Sequence, residues 1–354
     1  MFKSLLRLRR KVIPPAPPEA AQPRVDAETL LRRMEWTVLK RLDGLLHGDY
    51  RSLMRGFGLD LADLREYQAH DDVRHIDWNV TARMQTPYVR EFHEDREVFA
   101  WFLLDLSPSV DFGSGSLRKR ELAAEVTATI GRMLTAHGNR VGALLYDGSA
   151  ASLAEAVIPA AGGRLQVLRI LDAVLRFQNR ASTRDPAREK RQTDLGDMLA
   201  RAENIIRRRS LVFLVSDFIS HPGWESRLAL LARRNELVAV RLHDPLEAEL
   251  PDLGLALMED AETGEQIFVD TCDAGFRRRF AEAAARREQA LRQVLARTGV
   301  DCLELSTHDK LDAALLRFAH LRKMRGKAGG QQSVSANAMA AAHAARTTGT
   351  AQPS

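Results

Sequence analysis

Three oxygen-bearing side chains at alternate positions, Asp105, Ser107 and Ser109, give the sequence its clearest capacity for chemistry. They stand at the end of the continuous apolar run VFAWFLLDL (98–106), where a spacing of two puts all three on one side of an extended turn. Carboxylate and hydroxyl oxygens are hard ligands that suit Mg²⁺ or Mn²⁺ better than zinc. The sequence therefore predicts a divalent-metal site directly after a buried strand.

Two later residues extend this set. Thr193 stands at the start of a predicted helix (194–207), and Asp217 stands near the end of the apolar run 210–218. Small divalent cations take six oxygen ligands, some of them water. The predicted ligand set is therefore Asp105, Ser107, Ser109, Thr193 and Asp217. Asp and Ser also favour turns and helix N-caps, so the triplet alone fits a capped turn, and the metal interpretation depends on the two later residues.

Short apolar runs alternate with amphipathic helices from about residue 98 to residue 321. The predicted strands are 98–106, 140–147, 151–160, 210–218, 237–244 and 300–306. The predicted helices are 117–137, 164–177, 194–207, 224–234, 273–298 and 308–321. This alternation predicts an α/β fold with a doubly wound, mostly parallel sheet, helices on both faces and 151–160 as an antiparallel edge strand. Turn residues within 255–270 predict a hairpin.

The order Asp-x-Ser-x-Ser, then Thr, then Asp on such a frame resembles the von Willebrand factor type A fold and its metal-ion-dependent adhesion site. The resemblance implies that the ion keeps an open coordination position, which an acidic residue of a partner protein fills. No nucleophile or general base stands out beside the predicted site. The resemblance therefore favours metal-dependent binding over catalysis, and we expect a non-enzymatic protein.

A second resemblance lies before the first strand, in a stretch dense in charges of both signs. It is similar to domain of unknown function family 58, a bacterial family, on Gly56, Gly58, Arg65, Tyr67, Asp71, Asp72, Arg74, Ile76, Asp77, Trp78, Ala82 and Arg83. His70 departs from the family pattern, which usually has Gly there. The resemblance implies an adaptor of the short, soluble type that partners a MoxR-type AAA+ ATPase in protein assembly or remodelling.

Two other functions stay open at this point. The cluster His70, Asp71, Asp72, His75 and Asp77 could ligate a metal in a hydrolase, although its spacing matches no known ligand template. The N-terminal segment MFKSLLRLRRK alternates apolar and cationic residues and could lie on an anionic membrane surface.

Charge and composition divide the chain into four parts. Residues 1–24 and 322–354 each carry a net charge of +5, so the stretch between them carries −5, which argues against nucleic-acid binding by the core. Two isolated cysteines favour a reducing compartment, and we expect the cytoplasm. The expected parts are a disordered basic and Pro-rich leader (1–24), a family-specific segment packed on the core (25–97), the von Willebrand factor A-like domain (98–325) and a disordered tail (326–354).

Overall fold

The structure is a computed structural model of the 354-residue chain. The residues that it describes are 6–9, 28, 64–68, 73, 76, 78, 81–82, 86–90, 97–115, 117–148, 157–182, 193–260 and 265–322. Most of the family-specific segment 25–97, nearly all of the His70–Asp77 cluster and the whole tail 326–354 lie outside these residues.

Strands and helices alternate along most of the described chain. The strands are β1 (Leu6–Arg9), β2 (Leu64–Glu66), β3 (Tyr88–Arg90), β4 (Phe99–Asp105), β5 (Arg140–Tyr146), β6 (Val157–Ala161), β7 (Leu211–Ser216), β8 (Glu236–His243), β9 (Leu255–Asp260), β10 (Gln266–Asp270) and β11 (Asp301–Ser306). The helices are α1 (Lys119–Ala136), α2 (Arg164–Ser182), α3 (Leu195–Ile205), α4 (Trp224–Arg234), α5 (Ala274–Thr298) and α6 (311–322). Two short 3-10 helices occupy Pro108–Asp111 and Pro245–Glu247.

The main sheet has six strands in the order β11-β8-β7-β4-β5-β6. All neighbouring pairs are parallel except β5 with β6, which is antiparallel. The prediction of a mostly parallel sheet with an antiparallel edge strand is therefore confirmed. The chain leaves β4 through α1 to reach β5 on one side, and it later enters β7 on the other side of β4. This reversal places a crevice between the carboxyl ends of β4 and β7, where doubly wound sheets bind ligands.

Helices cover both faces of this sheet, and the strand sequences show why. In β4, Ala100, Phe102 and Leu104 pack on the face covered by α1, α2 and α6, whereas Trp101 and Leu103 pack on the face covered by α3, α4 and α5. Successive side chains of a strand point to opposite faces, so a strand covered on both sides must be apolar throughout. The unbroken apolar run of β4 agrees with this rule, because helices cover both of its faces.

A smaller antiparallel sheet, β1-β9-β10, packs Met258 and Val269 near Phe276 and Phe280 of α5. Its β9–β10 pair confirms the predicted hairpin. The leader was expected to be disordered throughout, whereas Leu6–Arg9 pair antiparallel with β9 as an edge strand. The alternation of apolar and cationic residues in 6–9 is a strand period, and a membrane-surface segment was only the alternative kept open for it.

No helix among the described residues is both long enough and apolar enough to span a membrane.

The core on both faces of the sheet predicts which substitutions lower the free energy of unfolding most. Leu103 is fully buried in the central strand β4, so Leu103→Ala should lower the free energy of unfolding by about 3 kcal/mol in a urea titration. Leu165→Ala is the matched control because Leu165 is 70% exposed in α2, and it should change the free energy by less than about 0.5 kcal/mol. Equal losses in the two variants would contradict the three-layer packing.

Candidate metal centre

The predicted site residues lie at the carboxyl edge of the main sheet, around the crevice between β4 and β7. Asp105 is the last residue of β4, and Ser107 and Ser109 follow in the turn that enters the first 3-10 helix. All three are fully buried. The hydrogen bond that Leu106 N donates to Tyr146 O at 2.7 Å continues the β4–β5 pairing past Asp105 and fixes where the turn begins.

Hydrogen bonds orient the Asp105 carboxylate. Ser107 N donates to its Oδ1 at 3.0 Å, and the hydroxyl of Ser216, the last residue of β7, donates to its Oδ2 at 2.7 Å. The Ser107 and Ser109 hydroxyl oxygens lie 3.1 Å apart. Adjacent oxygens in a Mg²⁺ octahedron with bonds near 2.1 Å lie about 3.0 Å apart. The two hydroxyl groups therefore already have the separation that neighbouring ligands of such an ion require.

Thr193 joins this group from the loop before α3. Gly148, with φ of +88°, lies after β5, and a Cβ built on it would stand 3.1 Å from the Thr193 hydroxyl oxygen and 3.7 Å from the Ser107 Cβ. Both side chains thus flank one glycine, and Thr193 is 1% exposed. Ser220 ties the loop down because its hydroxyl donates to Thr193 O at 3.0 Å and accepts from Leu195 N at 2.9 Å.

Asp217 lies at the same edge, but a buried lysine holds its carboxylate. Lys119 Nζ lies 2.6 Å from Asp217 Oδ2 and 2.7 Å from Glu247 Oε1, and the Lys119 side chain is completely buried. Ile219 N donates to the other oxygen of Asp217 at 3.0 Å. Burial by itself lowers the pKa of Lys119, but the two carboxylates outweigh this and hold it above its usual value. Both carboxylate oxygens of Asp217 are therefore already engaged, one by Lys119 and the other by a backbone N–H.

A second buried cation braces the turn itself. The guanidinium of Arg120, next to Lys119 at the start of α1, donates from Nη2 to Leu106 O at 2.9 Å and lies 2.5 Å from Asp111 Oδ1 through Nε. Two successive helix residues therefore hold the two sides of the site, since Lys119 holds Asp217 and Arg120 holds the turn after Asp105.

Desolvation dominates the electrostatics of Asp105. Burial, and after it the nearby Asp217 carboxylate, raise its pKa to about 6 despite the lowering effect of the hydrogen bonds from Ser216 and Ser107. A buried carboxylate with a raised pKa gains most from a cation placed against it. The donor chemistry and the charge of the site both fit a hard divalent cation.

The donor set combines one carboxylate, that of Asp105, with hydroxyl groups, and it contains no His or Cys. No group of three or more His, Cys, Asp or Glu side chains in the described ranges is placed to hold a metal ion. The rival cluster His70–Asp77 contributes only Val73 and Ile76 to the described part of the chain, so its arrangement stays a prediction.

Sequence reasoning missed Ser216, Lys119 and Glu247 as members of the site. Ser216 carried a usable signal because it ends a buried strand directly before Asp217. Lys119 and Glu247 had none, since a lysine at the start of a helix is ordinarily solvated.

The chain matches one family model and is similar to uncharacterized relatives. The model of the family described as "Protein of unknown function DUF58" matches residues 63–290. The chain is 36% identical over 305 residues to the uncharacterized proteins Mb1516 of Mycobacterium bovis and Rv1480 of Mycobacterium tuberculosis, covering 85% of this chain and 91% of each relative. Among solved structures, the conserved hypothetical protein BatB of Bacteroides thetaiotaomicron matches with a TM-score of 0.38 at 15% identity, covering 65% of this chain and 99% of that one.

The buried ion-pair cluster of Lys119, Asp217 and Glu247 should lose much of its stabilising effect when the lysine is removed. Lys119→Met leaves the Asp217 and Glu247 carboxylates without a counter-ion, and it should lower the free energy of unfolding by about 3–5 kcal/mol in a urea titration. Arg176→Met is the control because it breaks an exposed pair with Asp172, 77% and 50% exposed, and should cost less than about 1 kcal/mol. Similar costs in both variants would show that Lys119 is solvated.

The raised pKa of Asp105 predicts a pH-dependent cost in the metal-free protein. Folding disfavours the charged form, so this residue's contribution is unchanged below about pH 4 and stability is lost as the pH rises to about 6. The loss should reach about 3 kcal/mol relative to Asp105→Asn, which cannot ionise. Urea titrations of both proteins in metal-free buffer from pH 4 to pH 8 measure it, and a constant difference across that range would contradict the assignment.

Proposed function

We propose that this chain, which belongs to the family described as protein of unknown function DUF58, is a non-enzymatic, metal-dependent protein-binding adaptor. One observation carries the proposal, namely the convergence of Asp105, Ser107, Ser109 and Thr193 as buried oxygen donors at the crevice between β4 and β7. Mg²⁺ or Mn²⁺ is the proposed ion.

Each of these residues has a separate role in holding the proposed ion. Asp105 supplies the negative charge, and the hydroxyl oxygens of Ser107, Ser109 and Thr193 complete the protein ligands, while Asp217 acts from the second layer through water. A bound ion with an open position offers a partner's carboxylate one strong, charge-assisted contact. The protein then needs no reactive side chain, because recognition of an acidic residue is the function.

The family resemblance supplies the proposed partner, a MoxR-type AAA+ ATPase, with a client protein that offers an acidic residue. In this proposal the chain links the two in the cytoplasm, where ATP is available, during assembly or remodelling of the client. The fully buried brace made by Lys119 and Arg120 supports such a role, since it keeps the ligands in place without a partner bound.

The test is metal binding followed by partner binding. Wild-type protein should bind one Mn²⁺ in calorimetry and rise in melting temperature with Mg²⁺, whereas Asp105→Asn and Thr193→Ala should lose both effects because each removes a proposed ligand. Asp172→Asn is the control, since it removes one carboxylate from an exposed ion pair with Arg176 in α2 and none of the proposed ligands.

A pull-down of the cognate MoxR-type ATPase with Mg²⁺ and with EDTA completes the test. Recovery should require both the metal and Asp105. If Asp105→Asn recovers as much ATPase as wild type, the adaptor function in this form is wrong, and if neither protein binds Mn²⁺, the metal centre is wrong as well.

A further inference from the structure

A groove of about 940 Å³ opens beside the metal centre and shares Thr193 and Asp217 with it. It is bounded by the chain from Asp217 to Pro222, by the 3-10 helix Pro245–Glu247 and by α5. The neighbours of a partner residue that reaches the metal centre can therefore lie in this groove.

The groove has an apolar lining that can receive side chains. Phe218, Pro222, Trp224 and Leu291 contribute to it, and the rings of Phe218 and Trp224 lie 5.6 Å apart. Phe218 has a φ of 58°, in the left-handed region that a bulky residue rarely adopts. Its backbone is held there by the hydrogen bond that Phe218 N donates to Ser216 Oγ at 2.8 Å. Such strain collects at binding sites, where the surrounding structure maintains it.

The charge around the groove is predominantly negative. Three guanidinium groups line it, those of Arg241, Arg287 and Arg292, and two of them already pair with Glu288. The carboxylates that line it are those of Asp217, Glu225, Asp244, Glu247, Glu249, Glu282, Glu288 and Glu304. Glu249 is exposed and has no cation within ion-pair distance in the part of the chain that the structure describes.

We propose that this groove binds a basic segment of the partner protein, with Lys or Arg side chains against its carboxylates and an apolar side chain against Phe218 and Leu291. The inference rests on the proposed function, because the segment adjoins the residue whose carboxylate reaches the metal centre. An acidic residue followed by basic and apolar residues thus satisfies both parts, and the charge pattern excludes uniformly acidic segments.

The probe is a short labelled peptide with one aspartate followed by alternating lysine and leucine residues, compared with the same peptide carrying glutamate for lysine. The test variant is Glu249→Lys with Glu282→Lys, both exposed on the groove. The control is Glu97→Lys with Asp172→Lys, which makes the same charge change at exposed pairs away from the groove. Fluorescence anisotropy with the full-length protein, in Mg²⁺ and in EDTA, measures each affinity.

We expect the lysine peptide to bind more tightly than the glutamate peptide, and the groove variant to weaken it about tenfold while the control does not. The lysine preference should persist in EDTA and in Asp105→Asn, where overall affinity is lower. Equal binding of the two peptides, or equal weakening by both double variants, overturns the groove inference. A preserved lysine preference without any metal effect overturns the proposed function and leaves the groove standing.

The chain's own C-terminal segment is the competing occupant, since 323–354 contains Lys323, Arg325, Lys327 and Arg346 and no acidic residue. Replacing these four by Gln in the full-length protein should leave the peptide affinity unchanged. A gain of tenfold or more, on the order of 1.4 kcal/mol, would show that the groove holds this segment, and the partner inference would then be wrong.

Discussion

The carboxyl edge of the sheet is organised by a shortage of positive charge. Asp105 and Asp217 are buried there and Glu247 is nearly so, and Lys119 is the one ammonium group among them in the described chain, while the Arg287 guanidinium also attracts Asp217 and Glu247. Buried carboxylates are tolerated only when cations or hydrogen-bond donors compensate them. Lys119 compensates Asp217 and Glu247, which leaves Asp105 with hydrogen bonds alone and a raised pKa. A divalent cation against Asp105 would supply the missing charge.

The need to compensate these buried carboxylates accounts for the way in which the loops at this edge of the sheet are anchored. The first two residues of α1, Lys119 and Arg120, both turn inward and are fully or almost fully buried, although helix starts usually favour acidic or solvated residues. The turn after β4 and the loop after β7 are each anchored to one of them. The sheet itself is apolar through both layers, so its strand ends form a rigid base on which these polar groups are held apart from solvent.

Much of the fold follows from periodicity. Strands buried on both faces show as unbroken apolar runs, and the 3.6-residue period of the helices between them implies a parallel sheet. That reasoning located β4, β7 and their carboxyl ends, and with them Asp105 and Asp217. It could not locate Lys119 or Glu247, because their roles arise from contacts 98 and 128 positions apart in sequence, and no local pattern marks a lysine that will be buried. The strand at Leu6–Arg9 was missed because its partner, β9, lies about 250 residues away.

If the metal centre and the groove act as we propose, they place opposite demands on a partner, and that opposition gives them selectivity. A bound ion would favour a carboxylate, while the groove beside it is lined mainly by carboxylates and repels one. A segment that is acidic throughout is attracted to the first and rejected by the second, and a segment that is basic throughout leaves the open metal position unfilled. Only a segment with both charges in the right order gains from both sites.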